Sequence, residues 1–236
     1  MKETLSNMNS TADRTRPAIK CPRMNAVNLD DSATIEDVFA NADFSHFQQG
    51  WREKEEESFR PAKAAAAWTD DALIVYAILQ DDDIFNEIQE SEFNKMSIAY
   101  GDVFEIFLKP SGQSSYFEFH LNPNNQKFQL RFPYRDANKI LKNNFKSTED
   151  MIDSFKVHAP IESRVTLSQG GWRVVAKIPF DTIVESQKIV PGLKWSFSFS
   201  RYDYTRPSKE PVYSSTSPHS AINYHLLDEY GVLEFV

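Results

Sequence analysis

The chain has 236 residues, of which 41% are hydrophobic and 13% aromatic, so it can form a sizeable hydrophobic core. Its formal net charge of −8 and its lack of a Lys/Arg cluster argue against nucleic acid as a partner, because phosphate binding requires a basic surface. A single cysteine, Cys21, excludes an internal disulfide. No apolar run reaches the length of a membrane span, and the N-terminus shows no apolar signal-peptide core.

The first part of the chain shows little apolar periodicity. Residues 1–24 are rich in Ser, Asn, Thr, Arg and Lys, which predicts a flexible lead-in, and residues 25–236 are predicted to form a single domain. An amphipathic stretch at 35–44 is compatible with a helix or with a loop packed on a sheet edge. The polar segment 47–61 is predicted to be a surface excursion.

Short stretches rich in β-branched and aromatic residues predict strands along the rest of the chain. The apolar run 72–79 follows a turn signal at 69–71 and is short enough to favour a buried strand over a helix. Further strands are predicted at 103–108, 115–121, 128–132, 155–158, 164–167, 172–178, 194–202 and 231–235, and short helices at 136–143 and 181–186. Turns containing Gly, Pro and Asn join them, without helices of βαβ length. The pattern predicts an all-β fold, an antiparallel β-sandwich of the jelly-roll or immunoglobulin-like kind with a few short helices.

One segment, 116–122, alternates between an apolar side and a polar side. The apolar side carries Phe117, Phe119 and Leu121, and the polar side carries Tyr116, Glu118, His120 and Asn122. Since successive side chains of a strand point to opposite faces, the first set predicts core. The second set is a row of hydrogen-bonding and aromatic groups, and it suits a polar ligand such as a sugar.

A polar surface is predicted around the turn at 122–125. If the flanking strands form a hairpin there, His120, Asn122, Gln129 and Arg131 share one face, with His120 and Arg131 as near neighbours across the turn. These residues are a candidate ligand site. An ordinary solvent-facing sheet is the alternative interpretation.

Two charged residues interrupt apolar strand faces. Arg201 continues a period-2 apolar series that begins at Trp195, and Glu105 lies on an apolar side of its own strand. Burying an unpaired guanidinium is very costly, so Arg201 must leave the sheet or find a carboxylate. The sequence predicts that Arg201 and Glu105 pair with each other or face a ligand together.

Six blocks, in this order, resemble the family 9 carbohydrate-binding modules and their relatives: AAWTDDALIVYAILQDDD, YGDVFEIFLKP, SYFEFHLNPNN, GGWRVVAKIPFD, PGLKWSFSFSRYDY and YGVLEF. The resemblance covers residues 64–236. It implies a β-sandwich that holds sugars and often carries structural calcium, with a periplasmic or extracellular location. Tryptophans clasp the sugar in that family, so the resemblance suggests Trp68 as a stacking platform. A Trp that seals the end of the core is the alternative.

The combined expectation is a non-catalytic domain that binds a mono- or oligosaccharide. Its candidate contacts are Trp68, Glu105, His120, Asn122, Arg131 and Arg201. Structural calcium is expected from the resemblance alone, with Asp81, Asp82 and Asp102 as candidate ligands and no other cofactor. A protein-interaction scaffold is the main alternative function, and a glycoside hydrolase using Glu105 with Glu118 or Asp102 is a further one.

Overall fold

The protein is described by a computed structural model covering residues 15–25, 28–89 and 94–236. Within these ranges the strands are β1 Ala18–Cys21, β2 Ser45–His46, β3 Ala62–Trp68, β4 Ala72–Gln80, β5 Val103–Lys109, β6 Tyr116–Leu121, β7 Lys127–Phe132, β8 Glu162–Ser168, β9 Gly171–Pro179, β10 Lys194–Asp203, β11 Val212–Ser215 and β12 Gly231–Phe235. The α-helices are α1 Ser32–Phe39, α2 Ala137–Ile140, α3 Thr148–Phe155 and α4 Phe180–Ile183, and 3-10 turns lie at Lys142–Asn144 and Leu227–Glu229. None of the helices in this described part of the chain is long and apolar enough to cross a membrane.

Two sheets pack face to face. The larger has seven strands in the order β1-β12-β10-β5-β6-β7, with β11 beside β10, and the smaller has five in the order β2-β3-β4-β9-β8. Only β1 and β12 pair in parallel among these strands, and the other pairings are antiparallel. The β-sandwich predicted from the sequence is therefore confirmed.

Alternate residues of facing strands fill the space between the sheets. Phe104 and Ile106 of β5 pack in one buried cluster with Leu73 and Val75 of β4. Because side chains alternate along a strand, the residues between them, such as Glu105, point to the outer face of the larger sheet. The central strands thus place polar groups on a second surface, away from the core.

Helices cover parts of both outer faces. In α1, the Asp31 side chain accepts a hydrogen bond from the Thr34 N–H, and Ile35 and Phe39 pack over the smaller sheet. In α3, Phe155 packs on the part of the larger sheet formed by β7. The outer face of β5, β6 and β10 lies beyond α3 and is covered by a segment near the C-terminus.

Two expectations about local structure are wrong. The lead-in predicted to be flexible to residue 24 contains β1, which pairs with β12 because Ile19 and Cys21 are buried on alternate positions. Residues 1–14 of that prediction lie outside the described residues. The strand predicted at 155–158 begins on the last residue of α3, a helix capped by Ser147, and only Lys156 forms an isolated bridge, with Leu130.

Candidate functional site

Strand register brings three of the polar residues on β5 and β6 together. Glu105 lies opposite His120, and Phe107 lies opposite Glu118. All three ionisable side chains are buried on the outer face of the larger sheet, with exposed fractions of 2% for Glu105, 5% for Glu118 and 1% for His120. Buried ionisable groups need partners, so their contacts decide what the cluster can do.

Both carboxyl groups approach the same imidazole nitrogen. His120 Nε2 lies 3.1 Å from Glu105 Oε1 and 2.5 Å from Glu118 Oε1. The second oxygen of Glu118, Oε2, lies 3.7 Å from His225 Nε2. Three buried atoms of the cluster, Glu105 Oε2, Glu118 Oε2 and His120 Nδ1, have no hydrogen-bond partner. The cluster therefore retains unused hydrogen-bonding capacity.

Burial and mutual contact shift the pKa values of the two glutamates in opposite directions. Burial raises the pKa of Glu105 to about 8, an effect that His120 opposes and Glu118 reinforces. Burial also acts to raise the pKa of Glu118, but the hydrogen bond and charge of His120 outweigh it and lower the pKa. The two glutamates in turn raise the pKa of His120 against the effect of burial. Glu118 is therefore the glutamate that ionises first, while Glu105 retains its proton up to about pH 8.

A pocket of about 260 Å³ adjoins this cluster. Its lining consists of Met96, Ile98, Glu105, Phe107, Glu118, Tyr202, Ile222, Asn223, Tyr224 and His225. The pocket combines aromatic rings with two carboxyl groups, and no Lys or Arg is among the described residues that line it. This combination suits a neutral ligand rich in hydroxyl groups or a cation, and it disfavours an anion.

The outer wall of the pocket comes from the segment after β11. The Tyr224 hydroxyl donates to the Arg201 carbonyl at 3.2 Å, and the Tyr230 hydroxyl donates to the Tyr224 carbonyl at 2.8 Å. His225 Nδ1 lies 3.1 Å from the Tyr116 hydroxyl. These hydrogen bonds fix the segment against the sheet, so the wall is built into the fold. Sequence analysis missed Tyr224 and His225 because the segment has no strand or helix periodicity.

Arg201 lies on the opposite face of the larger sheet from Glu105. The register pairs Glu105 with Ser200 and Arg201 with Phe104, so the predicted contact between Arg201 and Glu105 is wrong. Arg201 is fully buried; its guanidinium donates to the Gln80 carbonyl at 2.7 Å and to Asp81 Oδ2 at 2.9 Å. It therefore belongs to the interior and does not reach the pocket.

Three aspartates surround Arg201. Asp203 Oδ1 lies 3.1 Å from the guanidinium, and burial, with the charge of Asp81, still raises the pKa of Asp203 to about 7 although Arg201 opposes it. Burial and Asp81 likewise raise the pKa of Asp102 to about 8. Both oxygens of Asp102 already accept backbone N–H groups, from Phe85 and Tyr204, at 2.8 Å each.

This arrangement does not fit the calcium site suggested by the resemblance. Arg201 supplies the positive charge among Asp81, Asp102 and Asp203, and backbone donors occupy Asp102. The third candidate, Asp82, is exposed and pairs with Arg60 at 2.6 Å. Calcium prefers six to eight free oxygen ligands. Structural calcium stays a prediction, without ligands among these residues.

Trp68 lies at the edge of the core, and its role as a stacking platform stays a prediction. Its side chain is 4% exposed, and Nε1 donates to the Val236 carbonyl at 3.2 Å. The ring meets Phe235 edge-on at 5.8 Å, and the Arg23 guanidinium lies 5.5 Å from its centre. Trp68 seals one end of the sandwich.

Asn122 and Arg131 do not join His120 on one ligand surface. The register places Arg131 opposite Phe117 and His120 opposite Phe128, so Arg131 and His120 are on different faces. Arg131 forms an exposed ion pair with Glu185. Asn122 is buried, and its side-chain oxygen accepts the N–H groups of residues 124 and 126, which stabilises the hairpin turn. The shared polar face predicted from the sequence is therefore wrong.

The chain matches the family model of the carbohydrate family 9 binding domain-like proteins over residues 31–236. It belongs to this family. The resemblance found in the sequence is therefore confirmed over nearly the whole described chain. No curated protein matches the chain.

Solved structures show the same fold. A proposed carbohydrate-binding protein from Bacteroides uniformis ATCC 8492 superposes with a TM-score of 0.69 at 14% identity, covering 94% of this chain and 100% of the other. A family 9 carbohydrate-binding module from Caldicellulosiruptor kristjanssonii in complex with cellotriose gives 0.59 at 20% identity, covering 93% of both chains. A second family 9 module structure from that organism, in complex with glucose, gives a TM-score of 0.58 at 14% identity, covering 93% of this chain and 96% of the other. At these identities the similarity establishes the fold.

Proposed function

We propose that this family 9-like domain is a non-catalytic carbohydrate-binding domain whose sugar enters the pocket beside Glu105 and Glu118. One observation carries the proposal: the pocket contains both aromatic side chains and two carboxyl oxygens that have no hydrogen-bond partner, Glu105 Oε2 and Glu118 Oε2. A sugar presents hydroxyl donors at its edge and apolar C–H groups on its face. The pocket offers a counterpart for each.

The pocket provides distinct contacts for the two parts of a sugar ring. Glu118, ionised beside His120, is a strong acceptor for a hydroxyl group, and charge-assisted hydrogen bonds are about twice as strong as neutral ones. Phe107 and Tyr224, whose ring centres lie 6.2 Å apart, supply apolar surface for C–H groups. Asn223 adds an amide at the rim. The orientation of the hydroxyl groups on the sugar would then decide which sugars the pocket binds.

The size of the pocket favours a small ligand. Its volume of about 260 Å³ is below the roughly 300–1,000 Å³ that is typical of sites for drug-sized ligands. A single sugar unit or the end of a chain is therefore the expected occupant. Structures of the same fold from Caldicellulosiruptor kristjanssonii hold glucose and cellotriose, which makes these two sugars the first ligands to test.

The geometry of the carboxyl groups favours binding over hydrolysis. Glycosidases place two carboxyl groups on either side of the scissile bond, about 5–5.5 Å apart in retaining and 6.5–9.5 Å apart in inverting enzymes. Here Glu105 and Glu118 do converge on one pocket, but both contact the same nitrogen of His120. Their nearest carboxyl oxygens lie within 4.8 Å of each other, which is closer than the spacing in either class of glycosidase.

Calorimetric titration with glucose and cellotriose tests the proposal. Tryptophan fluorescence is a second readout, because the ring centre of Trp51 lies 6.4 Å from that of Tyr224 in the pocket wall. We expect saturable binding by the wild type and a loss of about tenfold or more in Glu118→Gln, as for a hydrogen bond to a charged group. The matched control is Arg131→Gln, on the other face, which should bind as the wild type does. A folded wild type that binds neither sugar, or equal affinity in Glu118→Gln, would contradict the proposal.

A further inference from the structure

The cluster of Glu105, Glu118 and His120 has a geometry that sugar binding alone does not require. One donor atom from each side chain lies within 4.8 Å of the other two. All three residues project from paired positions of β5 and β6, so a hydrogen-bonded sheet holds them. Sites built on strands keep their donor atoms in place more accurately than sites built on loops.

The protein itself does not saturate these groups. An Nε2–H group donates one strong hydrogen bond, yet oxygens from two carboxyl groups approach His120 Nε2, at 3.1 Å and 2.5 Å. Glu105 Oε2, Glu118 Oε2 and His120 Nδ1 are buried without partners. Unsatisfied buried polar atoms are uncommon and point to a missing ligand or ion.

The second buried acidic cluster differs from this one in having a permanently charged partner. Among Asp81, Asp102 and Asp203, the guanidinium of Arg201 supplies a cation and reaches two of the three carboxyl groups within 3.1 Å. Beside Glu105 and Glu118, the described residues lining the pocket include no Lys or Arg, and the basic side chains at hand are the imidazoles of His120 and His225. Two carboxyl groups and an imidazole become ligands for a metal ion when they release their protons, and metal binding drives that release.

We propose that Glu105, Glu118 and His120 bind a divalent transition-metal ion of the zinc class, while His225 contacts Glu118 Oε2 from outside this ligand set. Zinc binds imidazole nitrogen and carboxylate oxygen at about 2.0–2.2 Å, which sets neighbouring ligand atoms about 3.3–3.6 Å apart in a tetrahedron. The observed separations are 3.1 Å and 2.5 Å at His120, and the three donor atoms all lie within 4.8 Å of one another. Small rotations of these side chains open the cluster around one ion.

The chemical types of the donor atoms favour some metal ions over others. Imidazole suits zinc, copper, iron and nickel, whereas calcium and magnesium prefer all-oxygen coordination. The three protein donors here are one nitrogen and two oxygens, from His120, Glu105 and Glu118. The site is therefore distinct in chemistry from a structural calcium site. It adjoins the pocket, so the metal and a ligand in the pocket would be neighbours.

Zinc titration of the EDTA-treated full chain, without sugar, tests this proposal separately from sugar binding. Calorimetry should show one Zn²⁺ per chain, and thermal unfolding should shift upward with Zn²⁺ but not with Ca²⁺. We expect Glu105→Gln and His120→Gln each to weaken zinc binding by about 100-fold or more, since each removes a direct ligand. His46→Gln, which changes an exposed histidine on the smaller sheet, is the matched control and should bind as the wild type does.

Histidine NMR of the wild type decides the question where a variant fails to fold. On addition of Zn²⁺, the ring nitrogens of His120 should change chemical shift, while those of His46 should not. No zinc binding by the folded protein would overturn the proposal. So would unchanged affinity in both folded variants, or ring-nitrogen shifts confined to other histidines.

Discussion

Glu105 and His120 face each other across β5 and β6, with 3.1 Å between Glu105 Oε1 and His120 Nε2 and almost no solvent exposure of either side chain. On an outer sheet face these residues would ordinarily be hydrated. Here Tyr224 and Tyr230 pack on Phe107 of the same strand, at 6.2 Å and 6.1 Å between ring centres. The covering segment therefore creates both the low-polarity surroundings of the cluster and the wall of the pocket.

Replacing Trp68 should affect stability and leave ligand binding unchanged. Trp68→Ala removes a large ring from the closed end of the core, and such changes cost about 3–5 kcal/mol of unfolding free energy. Urea unfolding should show this loss, while titration of the folded fraction with glucose should give the wild-type affinity. A large loss of sugar affinity with little loss of stability would establish Trp68 as a ligand platform.

Replacing Arg201 should destabilise the protein because buried carboxyl groups would lose their cation. Arg201→Met leaves Asp81 and Asp203 without the guanidinium, and breaking a buried ion pair from one side costs about 3–5 kcal/mol. Arg201→Lys should cost less, but it should still be destabilising, since an ammonium group lacks the planar fork that reaches the Gln80 carbonyl and Asp81 together.

Chemical denaturation of both variants measures these effects. Arg131→Gln is the matched control, because Arg131 forms an exposed ion pair, and such pairs contribute at most about 1 kcal/mol. Equal stability of Arg201→Met and the wild type would show that the three aspartates do not need the cation.

The alternating apolar pattern made most of the sandwich predictable from sequence. Strands β4, β5, β6, β9, β10 and β12 lie where the pattern predicted them. Strand β3 escaped prediction because its run of alanines is buried on both faces and shows no alternation. Strand β1 escaped because two buried residues in a polar segment are too few to establish a period.

The site was predictable only in part, because sequence gives faces of strands but not the register between them. Glu105 and His120 stood out as polar groups in apolar strands, and the structure does bring them together. Arg201 stood out for the same reason, but an offset of one residue relative to Glu105 puts it on the other face. Tyr224 and His225 gave no signal, since their positions depend on the path of an irregular segment over the sheet.

The buried acids around Arg201 should make the protein less stable as pH rises. Burial raises the pKa of Asp203 to about 7 from an ordinary value near 4, so the folded state holds a proton that the unfolded state has released. The stability contributed by this proton is complete below about pH 4, declines between about pH 4 and 7, and is absent above. One unit of pKa difference corresponds to about 1.4 kcal/mol, so the total effect is on the order of a few kcal/mol.

Urea unfolding of Asp203→Asn between pH 4.5 and 8 isolates this contribution. The asparagine cannot titrate, so the variant should lose less stability than the wild type over that range. Asp228→Asn is the matched control, because Asp228 is fully exposed beside Arg135 and its pKa is lowered rather than raised. A pH dependence in Asp203→Asn as steep as in the wild type would mean that Asp203 is ionised beside Arg201 across this range, with the guanidinium outweighing burial.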